Sequence, residues 1–135
     1  ISIKNSQDQK AITEKLLDEF NLQHVRTLNA SVLSGGEIRR LMMARIMIKK
    51  PKIVLLDEPL AGVNPKLSED ILSLIGSFAK QGISILMVEH NISAVMKVSD
   101  HIVVLAEGSV IAEGNPEEIR SNENVVTAYL GKSND

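Results

Sequence analysis

The chain has 135 residues, 44% of them hydrophobic and 24% charged, with a formal net charge of −2 at pH 7 and a pI near 5.9. This is one domain's worth of core-forming protein, without the global basic field that would attract nucleic acid or an anionic membrane. There is no cysteine, hence neither a disulfide framework nor a thiolate metal site, which suits a reducing compartment.

Aromatic residues make up 2% of the chain, so aliphatic side chains and methionines must fill the core. Met42, Met43, Met47, Met87 and Met96 follow core spacing. The longest apolar runs, residues 83–88 and 102–106, are strand-sized and far short of the ~20 residues that span a bilayer. No signal peptide is visible. The chain opens on Ile1 rather than Met and is expected to be a piece of something longer.

In chain order, Ile12, Leu16, Leu17 and Phe20 recur at helical spacing and predict an amphipathic helix over roughly 9–20. A polar connector leads to Leu33-Ser34-Gly35-Gly36-Glu37. From Glu37 to Lys49 the pattern is again helical, with Ile38, Leu41, Met42, Ile46 and Met47 expected inward and Pro51 as the stop. Arg39, Arg40, Arg45, Lys49 and Lys50 are expected to form one solvated face. Residues 53–56 are a continuous aliphatic run ending in Asp57-Glu58-Pro59, the pattern of a strand buried on both faces. Asn64 can cap the next helix with Pro65 in its first turn, and Gly82 ends it.

A second buried strand is expected over 83–88, followed by Glu89-His90-Asn91 and a helix to about Val98. Residues 102–105 and 110–112 flank Glu107-Gly108 and predict a β-hairpin. Asn115-Pro116-Glu117-Glu118 signals another helix start, and a last helix is expected over 125–130. Strands alternating with helices imply an α/β layered fold with a mostly parallel sheet and a C-terminal hairpin.

Three places carry chemistry. Ser34 and Glu37 have the spacing of a capping box, which leaves Gly35 and Gly36 unexplained. Glycine costs about 1 kcal/mol in a helix interior, so two at a helix start make sense if an anion must approach the bare N–H groups and the positive dipole end. Asp57 and Glu58 stand at the carboxyl end of a strand, where open α/β sheets place ligands. Asp57 can support Mg²⁺ through water, and Glu58 can orient and deprotonate a water; the bland alternative is a pair of exposed acids. His90 follows the second strand and can donate to a phosphate, whereas His24 and His101 read as structural.

Helix-start glycines, a strand ending in Asp-Glu and a second strand ending before His, in that order, resemble the ATPase subunit of ABC transporters. The likeness extends over nearly the whole chain. Residues 33–37 resemble the signature motif, 53–58 the Walker B motif, 61–65 the D-loop, and His90 the switch histidine. The resemblance implies a P-loop NTPase-like fold and two ATPase subunits paired head-to-tail around ATP and Mg²⁺. Ser34, Gly35, Gly36 and Glu37 would meet the nucleotide held by the other subunit. Asp57 would support the metal, while Glu58 and His90 would be catalytic. Ala61, Gly62, Val63 and Asn64 would couple the two sites; many relatives have aspartate where this chain has Asn64.

The stretch "GNPEEIRSNENVVTAYLG" with "LAGVNP" and "VEHN" resembles the branched-chain amino-acid importer ATPases, with lipopolysaccharide-export ATPases as the nearest rival. A lobe of a DNA-repair or chromosome ATPase of the same superfamily is a further alternative. The implied partners are a second ATPase subunit and transmembrane permease subunits at the cytoplasmic face of the membrane, with no nucleic acid.

No G-x-x-x-x-G-K-[ST] occurs in the sequence, so the cradle for the α- and β-phosphates is missing. The expected division is therefore 1–50 as the remainder of a helical subdomain and 51–135 as the C-terminal part of a RecA-like core, lacking the P-loop half. The piece alone is expected to be inactive, with exposed strand edges.

Overall fold

A computed structural model describes residues 6–130, with side chains from 7 to 129. The expectation that places Ile1 inside a helical subdomain lies outside the described residues. The chain divides into two compact units, Ile1–Val88 and Glu89–Asp135.

In the first unit, α1 (Ser6–Glu19) is followed by two short 3-10 turns, Gln23–Val25 and Ala30–Val32. Then come α2 (Gly35–Met47), β1 (Ile53–Asp57), α3 (Pro65–Lys80) and β2 (Ser84–Val88). β1 and β2 pair in parallel with Leu55 opposite Leu86 and Asp57 opposite Val88, the pairing that a crossover through α3 produces. The apolar stripe of α3 buries Ile71, Leu72, Ile75 and Phe78. Phe78 meets Phe20 at a ring-centroid distance of 5.9 Å, so the ends of α1 and α3 share one core. Asn64 caps α3 as the sequence predicts: its Oδ1 accepts from Leu67 N at 2.9 Å.

Two expectations about burial fail here. The strands are not buried on both faces: Ile53, Leu55, Leu86 and Val88 are 58–71% exposed. Alternation on a pleated strand puts these four on one side, and in this two-stranded sheet that side remains open. In α2 the buried residues are Met43 and Ala44, while Ile38, Met42 and Ile46 are exposed. Apolar residues surround much of this helix, so periodicity did not single out its inward face.

In the second unit, α4 (Ile92–Val98) is capped by Asn91, whose Oδ1 accepts from Ala94 N at 3.1 Å. β3 (Ile102–Ala106) and β4 (Ser109–Gly114) form the expected antiparallel hairpin. Glu107 and Gly108 both have positive φ, 50° and 77°, as a two-residue turn matched to strand twist requires. α5 (Pro116–Ser121) begins in a capping box between Asn115 and Glu118. The short α6 (Glu123–Val125) runs into a π-helical turn, Val126–Leu130. Ile102, Ala112, Ile119 and Val125 form the core of this unit, with Val95, Met96 and Val104 packed against it.

Candidate nucleotide-facing site

The start of α2 is a complete capping box. Ser34 is in extended backbone, and its Oγ accepts from Glu37 N at 3.4 Å. Glu37 Oε2 in turn accepts from Ser34 N at 2.8 Å and from Ser34 Oγ at 2.6 Å. The other oxygen, Oε1, lies 2.9 Å from Nε2 of His24. Because an ionised carboxylate only accepts, Nε2 is the donor there. The Ser34 hydroxyl first, then the Ser34 N–H and His24, hold the Glu37 carboxyl down from its ordinary 4.5 to about 2. His24, read from sequence as structural, is indeed a support of this box.

The box uses the amides of Ser34 and Glu37 and leaves those of Gly35 and Gly36 outside it. The two glycines differ. A Cβ on Gly36 would come within 2.9 Å of Leu67 Cδ2 in α3, whereas one on Gly35 would meet nothing within 4 Å. A side chain at 36 would press on Leu67 of α3, whereas the position at 35 is open.

β1 delivers Asp57 and Glu58, both exposed, at its carboxyl end. Glu58 has φ 42°, a left-handed conformation uncommon outside glycine, costly, and concentrated at functional sites. Its N–H donates to Val88 O at 2.9 Å, and its carbonyl accepts from Ala61 N at 3.0 Å. The segment then passes through Gly62, φ 67°, to the Asn64 cap.

Two arginines expected on a solvated face are engaged instead. Arg39 donates through one guanidinium nitrogen to Pro59 O and through the other to Ala61 O, the latter at 2.7 Å. Arg40 pairs with Asp70 of α3, and its side chain is 16% exposed. Their partners are 20 to 30 residues away, and the run of basic residues gave no sign of them. In the second unit, His90 is exposed, two residues beyond the end of β2 in sequence, and His101 pairs with Glu113 at 3.0 Å.

Asp57 is a single carboxylate at a strand end, and among the described residues no three His, Cys, Asp or Glu side chains converge as a metal cage. One carboxylate suits a hard cation that keeps waters and draws its other oxygens from phosphates.

Two family descriptions match the chain: an ABC transporter model over residues 2–61 and a branched-chain amino acid ATP-binding cassette transporter model over residues 109–134. The high-affinity branched-chain amino acid transport ATP-binding protein BraF of Pseudomonas aeruginosa is 43% identical over 118 residues, 87% of this chain and 46% of that protein. The probable branched-chain amino acid transport ATP-binding protein LivG of Archaeoglobus fulgidus is 45% identical over 127 residues, 92% of this chain and 49% of that protein. The lipopolysaccharide export system ATP-binding protein LptB of Haemophilus influenzae is 36% identical over 126 residues, 93% of this chain and 52% of that protein. The crystal structure of the ADP conformation of an ATP-binding cassette of an ABC transporter superimposes with a TM-score of 0.81 at 34% identity, covering 96% of this chain and 53% of that one. The chain thus spans about half the length of the relatives it matches. With this fold and these motifs, it belongs to the family of ABC-transporter ATP-binding proteins and is most like the branched-chain amino-acid importer type.

Proposed function

We propose that this chain supplies the signature, Walker B, D-loop and switch-histidine portion of an ATP-hydrolysing subunit that powers import of branched-chain amino acids. The observation that carries the reading is Glu58: an acid held in left-handed backbone at the end of a parallel strand, in a chain 43–45% identical to branched-chain amino acid transport ATP-binding proteins. The relatives named for lipopolysaccharide export, at 36–38% identity, make that reading second. In the proposed division, residues 1–50 are the remainder of the helical subdomain and 51–135 the later part of the ATPase core.

The residues take the following roles. The amides of Gly35 and Gly36, at the helix end that Ser34 caps, bind the terminal phosphate of a nucleotide held by a second subunit; the helix dipole favours that negative charge. Glu37, with His24, fixes the cap that shapes this helix end. Glu58 accepts a hydrogen bond from the attacking water and takes its proton, a contribution typically of ~10²–10⁴-fold. His90, a ring donor, serves a terminal phosphate. Asp57 supports Mg²⁺, which when bound supplies positive charge against the phosphate oxygens. Ala61, Gly62, Val63 and Asn64 face the other subunit's site. No described helix is long and apolar enough to cross a membrane; the proposed location is the cytoplasmic face of the membrane, reached through permease subunits.

The test is Mg-dependent ATP turnover by the assembled transporter that carries this sequence. Glu58→Gln should abolish turnover while nucleotide binding persists, and Ser34→Arg should block it by filling the phosphate position. Wild-type rates in Glu58→Gln would overturn the role given to Glu58. The 135-residue chain alone, lacking the phosphate-binding loop, should neither bind nor hydrolyse ATP appreciably. Turnover by it that Glu58→Gln removes would refute this.

A further inference from the structure

We propose that Arg39 is a positioning residue for Glu58: its guanidinium, bonded to the carbonyls of Pro59 and Ala61, ties the helix that begins at the Ser34–Glu37 box to the loop that holds the acid in its left-handed conformation. The inference rests on the proposed role of Glu58 and adds to it a residue in α2 that no family motif assigned in the sequence.

A non-glycine residue at positive φ persists only when its surroundings over-determine it. At Glu58 two backbone restraints are plain. Its amide is fixed to the neighbouring strand by Val88 O at 2.9 Å, and its carbonyl is fixed by Ala61 N at 3.0 Å. Both are backbone bonds local to the strand end and the turn. A side-chain restraint is added by Arg39 of α2, which spans the turn by holding Pro59 O and Ala61 O together. These carbonyls belong to the residue after Glu58 and to the residue whose amide closes the turn. If the fork is removed, the turn can relax towards ordinary φ and the Glu58 carboxylate moves with it.

Arginine suits this task because its donors have a fixed planar spread. A lysine ammonium at the same place can reach one carbonyl or the other but does not hold both at a set separation. α2 is itself anchored, through Arg40 to Asp70 and through the contact of Gly36 with Leu67. The Arg39 fork thus joins an anchored helix to the loop that carries Glu58 and the D-loop residues. Arg39 touches neither phosphate nor water in this scheme; it acts through the 58–61 backbone.

The experiment compares Arg39→Met, which keeps the apolar stem, and Arg39→Lys, which keeps the charge, with wild type. In the assembled ATPase, misplacement of a catalytic group by about 1 Å can cost up to ~10²-fold. Arg39→Met is expected to lower kcat about 10- to 100-fold with KM for Mg-ATP changed less than about twofold, and Arg39→Lys to recover only part of the loss. In the isolated chain, backbone NMR resonances of residues 58–61 should shift in Arg39→Met while those of the α3 core stay in place. Wild-type kcat in Arg39→Met, or a change confined to KM, overturns the inference. Absence of turnover in wild type, or indifference to Glu58→Gln, overturns the proposed function instead. The NMR comparison then decides the Arg39 tether by itself: unmoved resonances at 58–61 reject it and displaced ones support it.

Discussion

Asn64 stands at the start of α3, and the structure separates what its amide supplies there from what an aspartate carboxylate would add. Its Oδ1 caps α3 by accepting from Leu67 N at 2.9 Å. The first turn of α3 has no acidic residue but does contain Lys66, a positive charge near the positive end of the helix dipole. Asn64→Ala removes the cap, which typically costs ~1 kcal/mol within a range of about 0.5–2. Asn64→Asp keeps the acceptor and adds a favourable charge, worth about 0.3–1 kcal/mol at an exposed helix start in low salt. With a urea m-value of about 1–3 kcal/mol per molar, the unfolding midpoint of Asn64→Ala should fall by roughly 0.3–1 M. The midpoint of Asn64→Asp should rise by a few tenths of a molar.

The assay is urea unfolding followed by circular dichroism, at concentrations where the midpoint is independent of protein, in low salt and again in 1 M NaCl. Salt should erase most of the aspartate gain, since the Debye length at 1 M is about 3 Å, and should leave the alanine loss nearly unchanged. If alanine is indistinguishable from asparagine, the cap does not stabilise α3 and the geometric argument fails. A destabilising aspartate would show that the charge at 64 is governed by something other than the helix end.

Three further outcomes are expected. Glu37, with its folded pKa lowered to about 2 from an ordinary 4.5, contributes stability that is present above about 4.5 and is lost as pH falls towards 2. Glu37→Gln should flatten the stability–pH curve in that window, and an unchanged acid limb would count against the network with Ser34 and His24. Glu58→Gly should abolish turnover yet hold or raise stability by up to ~1 kcal/mol, because glycine adopts φ 42° without the Cβ penalty; a marked loss of stability would show that the side chain, and not the backbone, holds the turn. The open face of Ile53, Leu55, Leu86 and Val88 should make the isolated chain associate with rising concentration, and Leu55→Lys with Leu86→Glu should reduce this. Light scattering that shows a monodisperse wild-type monomer throughout would dispose of that expectation.

The sequence revealed features whose causes are local. The Ser34–Glu37 and Asn115–Glu118 boxes, the Asn64 cap and the Glu107-Gly108 turn each depend on residues within a few positions of one another, and the structure has them all. Asp57 and Glu58 were placed at a strand end because an aliphatic run stops there, although nothing local announced the left-handed backbone of Glu58. Arg39 and Arg40 look like a solvated face in the sequence because their partners, Pro59, Ala61 and Asp70, are distant along the chain. In α2, Ile38, Leu41, Met42, Met43, Ala44, Ile46 and Met47 leave no single apolar stripe, so periodicity finds the partly buried Leu41 and Met47 but not that Ile38, Met42 and Ile46 are exposed.

The difference between the two glycines of α2 provides a way to separate outside from inside. Gly36 has an internal neighbour, so alanine there tests Leu67 as well as any visiting phosphate, and shortening Leu67 should partly restore tolerance at 36. Gly35 has no such neighbour. Loss of activity in Gly35→Ala with unchanged stability would therefore be a report on the visitor alone, obtained from one methyl group.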